Sequence, residues 1–579
     1  MKKRRSSAFA FGIEPSIAYR RSMFKMPHSH KTTGNLGDLI PFFVQEVYPG
    51  DTFKNTSTLL VRSSNSVLKP IIDNLFVDTW FFFVPYRLVW KNWEAFMGEN
   101  KNGHWASTYT GEVPQLELSN LDEEHLPNKH DIAVYMGMVP QMNNWAASPA
   151  DYGRASHSVS ALPLRAYALI YNEWFRDQNV QDPINIELGD TDEEYIPGDI
   201  FGSTPEKYTG LVAKVNKVND YFTTCLPSPQ KGNAVSLPLG ITAPVVTGDG
   251  SNFGTKSTSV LPPLRLTASQ NNGSWGVTGI GSYNLYGITP TGFNYMQARG
   301  EQVTPAPVTT YNWAPDNLFA DLTDATAANV NDLRFAFQLQ KMLEKDARGG
   351  TRYREMIRAH FGVSNGDARM QIPEYLGGSR NPLRFSQVTQ TSQGTKSSAL
   401  GNLGAYSLSV GNARFNKSFT EHGLIIGLCA VRQFHTYQQG IERYLFRYKR
   451  EHFYDPVFAN IGEQPVYTKE IYAAAAPFVN DDVFGYNEAW ADLRYKPSRI
   501  SGELSSFSEA PLDIWHAADA YKSQPLLSSQ FMQETSTYFD RDLAVPSTSA
   551  DNFIFDIYND MSAIRLLPSY SIPGLIDHH

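Results

Sequence analysis

The sequence predicts a mainly β fold, an antiparallel sandwich or jelly roll whose long loops carry some helices. Three features favour it: the strand-like segments are short, the connections between them are long, and helical patterns are few. Many short strands separated by Gly/Pro-containing turns are typical of sandwiches and jelly rolls. The hydrophobic share of 41% is enough for a sizeable core in a chain of 579 residues.

The strongest strand signals lie in the first hundred residues. The stretch LIPFFVQEVYPGDTF is rich in β-branched and aromatic residues around a Pro49-Gly50 turn, and STLLVRSS is a shorter candidate. In DNLFVDTWFFFVPYRLVW, from Asp73 to Trp90, both alternating faces become apolar toward the end. A strand with two apolar faces is expected to be buried on both sides. HGLIIGLCAVRQF, from His422 to Phe434, is also predicted to be a buried strand.

Helices are predicted in the loops. In RAYALIYNEWFRDQN and the residues before it, Pro163 suits a first helical turn, and apolar residues recur at spacings of three and four up to Trp174. Residues 332–348 show a second apolar helical face that ends at Gly349-Gly350, and a further short helix follows. These helices are too few to change the fold class.

The stretch from 205 to 312 differs in composition from the rest. Charged residues are sparse between Gly240 and Gly300, whereas Gly, Asn, Ser and Thr are dense. Such a long segment suggests an irregular surface projection, since Trp275, Tyr283 and Tyr286 argue against a free linker, the alternative interpretation. We predict a basic arm at 1–34 and one β domain built from residues 35–204 and 313–579. The insertion, residues 205–312, lies between the two parts of that domain.

Charge is unevenly distributed along the chain. The net charge is −8, yet the N-terminus carries Lys2, Lys3, Arg4 and Arg5. Arg20 and Arg21 follow them. A basic arm on an acidic body is able to contact phosphate backbones, and a solvated, disordered terminus is the alternative that charge alone leaves open.

The residues exclude several classes of protein. With only Cys225 and Cys429, a disulfide-built scaffold is excluded, and a reducing compartment fits. We expect no signal peptide and no membrane span, because no apolar run reaches 18 residues. The acidic stretch ELGDTDEEY is interpreted as a solvated loop in preference to a Ca²⁺ site, and His28 and His30 as tail residues in preference to metal ligands.

No catalytic apparatus is recognisable either. Phosphate-binding loops and the metalloprotease and nucleophile-elbow motifs are missing from the sequence. Glu173 and Asp177 share a helical face, but nothing beside them supplies a nucleophile, cofactor or metal. We therefore predict no enzyme activity, no cofactor and no bound metal. The alternative is a β-sandwich carbohydrate-binding protein or glycosidase. The aromatic content of 13% is the reason for considering this alternative. A glycosidase requires two carboxylates about 5–9 Å apart in a cleft.

Several stretches together resemble the major capsid protein of gokushoviruses, small circular single-stranded DNA phages of the Microviridae. They cover both ends of the chain and most of it outside 205–312. Among them are RSMFKMPHSHKTTGNLGDLIPFFVQEVYPGDTF, ALPLRAYALIYNEWFRDQNVQDP, QIPEYLGGSRNP, EHGLIIGLCAVRQFHTYQQGIER, FGYNEAWADLRYKPSRISG and YSIPGLIDHH.

The resemblance implies an eight-stranded jelly roll and sixty copies in a T=1 icosahedral shell around the genome, assembled in the host cytoplasm. It implies that the insertion projects near the threefold axes and contacts a host receptor, for which Trp275, Tyr283 and Tyr286 are the candidates. It further implies that a small basic phage protein shares DNA binding with the arm. The insertion itself does not match the family closely.

A closed shell of identical copies requires contacts on several sides of each subunit. We predict that Tyr171, Trp174 and Phe175 fill a pocket of a neighbouring copy, with Arg176 and Asp177 setting the register at its edge. The alternative, equally open from the sequence, is that this helix packs on its own jelly roll.

Overall fold

The protein is described here by a computed structural model. It describes residues 21–99, 109–117, 128–139, 158–233, 235, 245–247, 265–270, 279–288, 295–299, 311–315, 318–320, 330–349, 353–362, 371–391, 401–473 and 482–570. The chain divides into a larger unit, residues 1–229 with 346–579, and a smaller unit, residues 230–345.

Strands dominate the described residues. In chain order they are β1 (Ser22–Lys25), β2 (His28–Gly34), β3 (Ile40–Val47), β4 (Thr52–Ser63), β5 (Leu75–Pro85), β6 (Gln115–Glu117), β7 (Ser158–Ser160), β8 (Glu193–Glu194), β9 (Val245–Thr247), β10 (Arg265–Gln270), β11 (Gly279–Ile288), β12 (Tyr295–Arg299), β13 (Tyr311–Pro315), β14 (Leu318–Ala320), β15 (Glu374–Pro382), β16 (Phe385–Thr389), β17 (Leu403–Ser418), β18 (Gly423–Gln433), β19 (Glu463–Tyr467), β20 (Val483–Glu488) and β21 (Phe553–Arg565).

The helices are mostly short. They are α1 (Trp93–Phe96), α2 (Ile132–Tyr135), α3 (Leu162–Ile170), α4 (Val330–Arg348), α5 (Tyr353–Phe361), α6 (Thr468–Ile471) and α7 (Ser529–Met532). Single 3₁₀ turns, among them Arg443–Phe446, Arg450–His452 and Pro456–Phe458, lie in the loop between β18 and β21.

Two antiparallel sheets form the framework of the larger unit. The first has the order β1-β21-β4-β17-β16, with β2 also paired to β21, and the second has the order β15-β5-β18-β3. If β1 and β2 count as one interrupted strand, each sheet has four principal strands, and β16 extends the first. This arrangement confirms the predicted mainly β, jelly-roll fold.

The core between the sheets is aromatic. Phe81 of β5 lies 4.8 Å from Phe415 of β17, and Phe83 lies 4.6 Å from Phe419, both measured between ring centroids. Phe43 of β3 also contacts Phe415, edge to face. Pairs of this kind add roughly 0.5–1.5 kcal/mol each beyond the burial of their area. The rings therefore join the two sheets directly.

The second sheet is buried on both faces, as the apolar runs predict. Nearly every residue of β5 and β18 is buried. Their outer face is covered in part by α3, whose Tyr167 donates its hydroxyl to the Leu39 carbonyl at 2.8 Å and accepts the N–H of Ala213 at 3.0 Å. The helix thus packs against the jelly roll of its own chain.

Helix α3 confirms the predicted helix and ends in a wider turn. The N–H of Arg176 donates to the carbonyl of Tyr171, five residues back, at 2.9 Å, so residues 171–175 form a π turn. Such turns often occur at functional sites. The predicted helix over 332–348 is α4, and the short helix after it is α5.

The smaller unit contains a four-stranded antiparallel sheet with the order β12-β11-β10-β13 and a two-stranded sheet of β14 and β9. The expectation of irregular structure was therefore wrong for these residues, and the expectation that the insertion projects from the surface stays a prediction. Backbone pairing along β10 and β11 overrides the low strand propensity of a Gly-, Ser- and Asn-rich sequence. Residues 205–229, placed in the insertion by composition, belong to the larger unit, where Tyr208 and Val212 are buried.

Candidate assembly interface

The aromatic residues that follow α3 pack on other parts of the same chain. Tyr171 is buried, and its ring lies 5.0 Å from that of Phe201. Phe175 packs edge to face on Trp80 at 4.9 Å and on Phe82 at 6.0 Å. Both side chains are engaged within the chain, so their predicted contact with a neighbouring copy stays a prediction.

Trp174 differs from these neighbours because 42% of it is exposed. Its indole N–H donates to the carbonyl of Pro373 at 3.0 Å, and its ring lies 5.4 Å from Phe82 and 6.0 Å from Tyr375. Tyr375, on β15, is itself half exposed. Trp174 and Tyr375 form a fixed, partly exposed aromatic pair, which is a feature typical of protein interfaces.

Arg176 and Asp177 organise the turn after the helix. The guanidinium of Arg176 donates to the carbonyl of Gln181 at 2.7 Å. The carboxylate of Asp177 accepts the N–H groups of Asn179 at 2.9 Å and Val180 at 3.0 Å. Their observed role is local, and the predicted role in setting the register between copies stays a prediction.

The acidic stretch that runs into β8 is exposed at Glu187, Asp190, Asp192 and Glu194, as expected of a solvated loop, and only Glu193 is partly buried. Glu193 forms an ion pair at 2.6 Å with Arg165, a fully buried residue of α3 that also donates to the carbonyl of Gly189 at 3.0 Å. Asp190 accepts the indole N–H of Trp90 at 2.6 Å. A buried guanidinium needs a carboxylate partner, and the acidic loop supplies it.

The N-terminal region is partly ordered as strands. Arg21, the first described residue, is exposed, and β1 and β2 follow it in the first sheet. His30 bonds through Nδ1 to the Phe42 carbonyl at 2.9 Å, and the ring of His28 stacks on Phe43 at 5.7 Å. These histidines join β2 to β3 and are not tail residues. The other predicted DNA contacts lie outside the described residues: Lys2, Lys3, Arg4, Arg5 and Arg20.

The host-contact candidates are only partly covered by the structure. Tyr283 and Tyr286 fall in β11, of which the backbone is described, and Trp275 lies outside the described residues. In the part of the chain that is described, no group of three or more His, Cys, Asp or Glu side chains is placed to hold a metal ion. Of the helices in that part, none is both long and apolar enough to cross a bilayer.

A buried ionic cluster fixes the loop between β18 and β21. The ring of His435 lies between two carboxylates, 2.8 Å from Asp519 and 3.1 Å from Glu534. Lys217 pairs with Asp519 at 3.0 Å, and the hydroxyl of Tyr521 donates to the same carboxylate at 2.7 Å. The charged side chains are almost completely buried. Two cations and two anions therefore balance in the interior.

The charges of this cluster are stabilised by one another. Burial lowers the pKa of His435, but the negative charges of Glu534 and Asp519 outweigh burial and raise it to about 10. Burial raises the pKa of Asp519, but the charges of His435 and Lys217 hold it well below its usual range. We infer that His435 is an imidazolium at neutral pH.

Backbone bonds around the cluster tie the same loop to residues 215–217. The N–H of Glu534 donates to the carbonyl of Val215 at 2.8 Å, and the N–H of Lys217 donates to the carbonyl of Met532 at 2.7 Å. Sequence reasoning missed this cluster because its ion pairs join residues 84 to 302 positions apart in the chain. The available signal was a histidine two residues after a long, mostly apolar strand.

We predict that His435→Ala lowers the free energy of unfolding of the subunit by about 3–5 kcal/mol, because it leaves Asp519 and Glu534 buried with one cation. The matched control is Lys31→Ala, which removes an ion pair with Asp556 that is 70% and 46% exposed and is expected to cost less than about 1 kcal/mol. Urea unfolding of both variants measures the difference, and equal costs would contradict the prediction.

The same variant tests the titration of His435. Its folded pKa exceeds the value of about 6.5 expected in the unfolded chain. The stabilisation by His435 is therefore complete below about pH 6.5 and is lost as the pH rises through about 10. The stability difference between the unsubstituted chain and His435→Ala should shrink across this window. A difference that stays constant from pH 6 to pH 10 would rule out a charged His435.

Comparison with known proteins gives matches over nearly the whole chain. The family described as Capsid protein (F protein) matches residues 14–575. Capsid protein VP1 of Chlamydia phage 1 is 37% identical over 601 residues, covering 98% of this chain and 97% of that protein. Capsid proteins VP1 of Bdellovibrio phage phiMH2K and Spiroplasma virus 4 are 35% and 38% identical, covering 98% and 96% of this chain and 98% and 95% of their own lengths.

Proposed function

This chain belongs to the capsid protein (F protein) family of Microviridae phages, and we propose that sixty copies of it form a T=1 shell around a circular single-stranded DNA genome. It is a structural component of the virion and not an enzyme. The observation that carries the proposal is the similarity to three VP1 capsid proteins along almost the entire chain.

The fold suits a subunit that forms the wall of a shell. Two sheets joined by aromatic rings make a rigid body, and long connections at 86–373 and 434–552 provide surface for contacts. Each standard contact between copies buries about 1,600 Å² in total, and a copy in a closed shell meets several neighbours. Trp174, the exposed member of the α3 aromatic group, is proposed to make one of these contacts.

The assembly proposal predicts that the purified full chain forms uniform closed particles. Sedimentation velocity should show one large, discrete species, and electron microscopy should show spheres of a single size. Icosahedral averaging of the images then gives the copy number directly. A folded chain that stays monomeric at capsid-like concentrations would contradict the proposal.

For the genome, we propose that Lys2, Lys3, Arg4 and Arg5, with Arg20 and Arg21, contact DNA phosphates on the inner face of the shell. The acidic net charge of −8 fits a division of this work with a small basic phage protein. Assembly of the particle in the host cytoplasm completes the proposal.

Replacing Lys2, Lys3, Arg4 and Arg5 with Ala should lower the DNA content of particles. It should also reduce the salt dependence of DNA binding by up to about 3 units of slope, because each phosphate contact on a single strand contributes about 0.7. The control replaces Lys31 and Lys417, cations of the folded body that are 70% and 43% exposed. Absorbance ratios of purified particles measure the DNA, and an unchanged ratio would show that the arm is only a tether.

For the host, we propose that the insertion between the two parts of the jelly roll contacts a cell-surface receptor, since recognition residues concentrate on loops held by a rigid scaffold. Replacing Trp275, Tyr283 and Tyr286 together with Ser should leave particle formation intact and reduce adsorption to host cells by about tenfold or more. Adsorption is measured as the loss of free particles from the medium. Normal adsorption, or loss of particles, would contradict an attachment role.

A further inference from the structure

One segment of the larger unit exposes an unusual amount of apolar surface. Between residues 441 and 461, nine large hydrophobic side chains are more than a third exposed, and Val457 and Tyr448 reach 83% and 76%. This segment, called the 441–461 segment below, carries Ile441, Tyr444, Leu445, Tyr448, Phe453, Tyr454, Val457, Phe458 and Ile461 at its surface. Soluble monomers rarely expose such a dense set, so the segment marks an interaction site.

The 441–461 segment is fixed in position by contacts with Trp490. The indole N–H of Trp490 donates to the carbonyl of Phe458 at 2.9 Å, and the ring of Tyr454 packs edge to face on it at 5.4 Å. Trp490 has a positive φ of 63°, which is costly for a bulky residue and persists only when its surroundings fix it. Asp455 accepts the N–H of Val457 at 2.9 Å and begins the last 3₁₀ turn. A fixed surface loses little entropy on binding.

Two of the three arginines of the 441–461 segment, Arg443 and Arg447, have partners in their own chain. Arg443 donates to the carbonyl of Pro465 at 2.7 Å and to Glu470 at 3.1 Å. Arg447 pairs with Asp492. The exposed cations Lys449 and Arg450 are matched in number by the exposed acids Glu451 and Asp455. The surface is therefore apolar and aromatic and lacks the excess of cations with which proteins track a nucleic-acid backbone. Protein, and not DNA, is the chemistry that fits it.

The area of the surface is on the scale of a stable protein contact. A fully buried aromatic side chain covers roughly 150–250 Å². Covering the exposed half or more of the four aromatic residues Tyr444, Tyr448, Phe453 and Tyr454 therefore buries on the order of 450 Å². The five other side chains add a comparable area, which brings the total near the roughly 800 Å² per partner of a standard interface.

A hollow next to the segment offers a place for the side chains of a partner. Its volume is about 430 Å³, and Ile441, Tyr444, Leu493 and Tyr495 form part of its wall. At its rim Glu442 pairs with Lys496 at 3.2 Å and with Arg499 at 3.3 Å. The wall of the hollow combines aromatic and aliphatic side chains with charged ones, a mixture that suits the side chains of a protein partner.

We propose that the 441–461 segment is a docking surface for a second copy of this chain, and that this contact joins subunits in the shell. The proposal rests on the proposed function, because a capsid subunit must find other copies of itself. It adds the location of a contact surface, which neither the resemblance nor the predicted contact at α3 gives. Contact area, rigidity and balanced charge together identify the occupant as protein.

The test compares particles made from two double variants of the full chain. Tyr448→Ser with Val457→Ser removes the two most exposed side chains of the segment. The control, Ile72→Ser with Ile200→Ser, changes two apolar residues of the larger unit that are 59% and 66% exposed elsewhere. We expect the first pair to reduce the yield of shells by about tenfold or more, with the melting temperature of the unassembled subunit unchanged, and the control to assemble normally.

Each other outcome overturns the proposal. Normal shells from the first pair, or an equal loss of shells in both pairs, would show that the segment does not join copies. A lowered melting temperature of the unassembled subunit would show that other parts of the same chain cover it. Shells that form but lack DNA would assign the surface to the genome. If the unsubstituted chain forms no shells, the proposed function fails as well, which separates the two cases.

A second measurement needs no substitution. Amide hydrogen exchange over residues 441–461 should be slower in assembled shells than in the unassembled subunit in dilute solution, because the contact excludes water from the segment. Equal exchange rates in the two states would also overturn the proposal, whatever the variants show.

Discussion

The burial of the second sheet on both faces is the constraint on which the rest of the larger unit depends. Strands β5 and β18 carry apolar residues in both directions, so the first sheet alone does not satisfy them. Helix α3 covers the remaining face, and the buried Arg165 and the acidic loop that pairs with it keep that helix in place. The long connections of this jelly roll are therefore part of its core as well as its surface.

The loop between β18 and β21 is long and yet held in one position. The ionic cluster around His435 fixes it where it leaves the sheet, and pairs such as Arg447 with Asp492 fix it further along. Because charged side chains of this loop pair with one another in its interior, many of the side chains at its surface are apolar. The buried ion pairs stabilise the isolated subunit, and the exposed apolar side chains suit the proposed contacts with other copies.

Local sequence patterns predicted the elements that are stabilised by local contacts or by the burial of apolar side chains. The alternation in β5, the apolar run of β18 and the helical stripe of α3 are readable because burial imposes a period on the sequence. Strand β2, with its sequence HSHKTTG, was placed in a polar arm because its partner β21 lies more than 500 residues away. The ionic cluster was missed for the same reason: long-range pairing leaves no period in the sequence. The sheet of the smaller unit was missed for a different reason: β10 and β11 are neighbours in the chain, but their Gly-, Ser- and Asn-rich sequence has a low strand propensity.

The neighbourhood of the two chain ends has a consequence for biosynthesis. Strand β21 lies between β1 with β2 on one side and β4 on the other, so the earliest residues of the jelly roll pair with nearly the last. The first sheet stays incomplete on the ribosome until β21 has been synthesised, because this interior strand pairs with both β2 and β4. Folding of the domain is then governed by contacts of very high sequence separation and is correspondingly slow. A partly synthesised chain that lacks β21 therefore has an unfinished first sheet and does not present the folded surfaces that other copies would recognise.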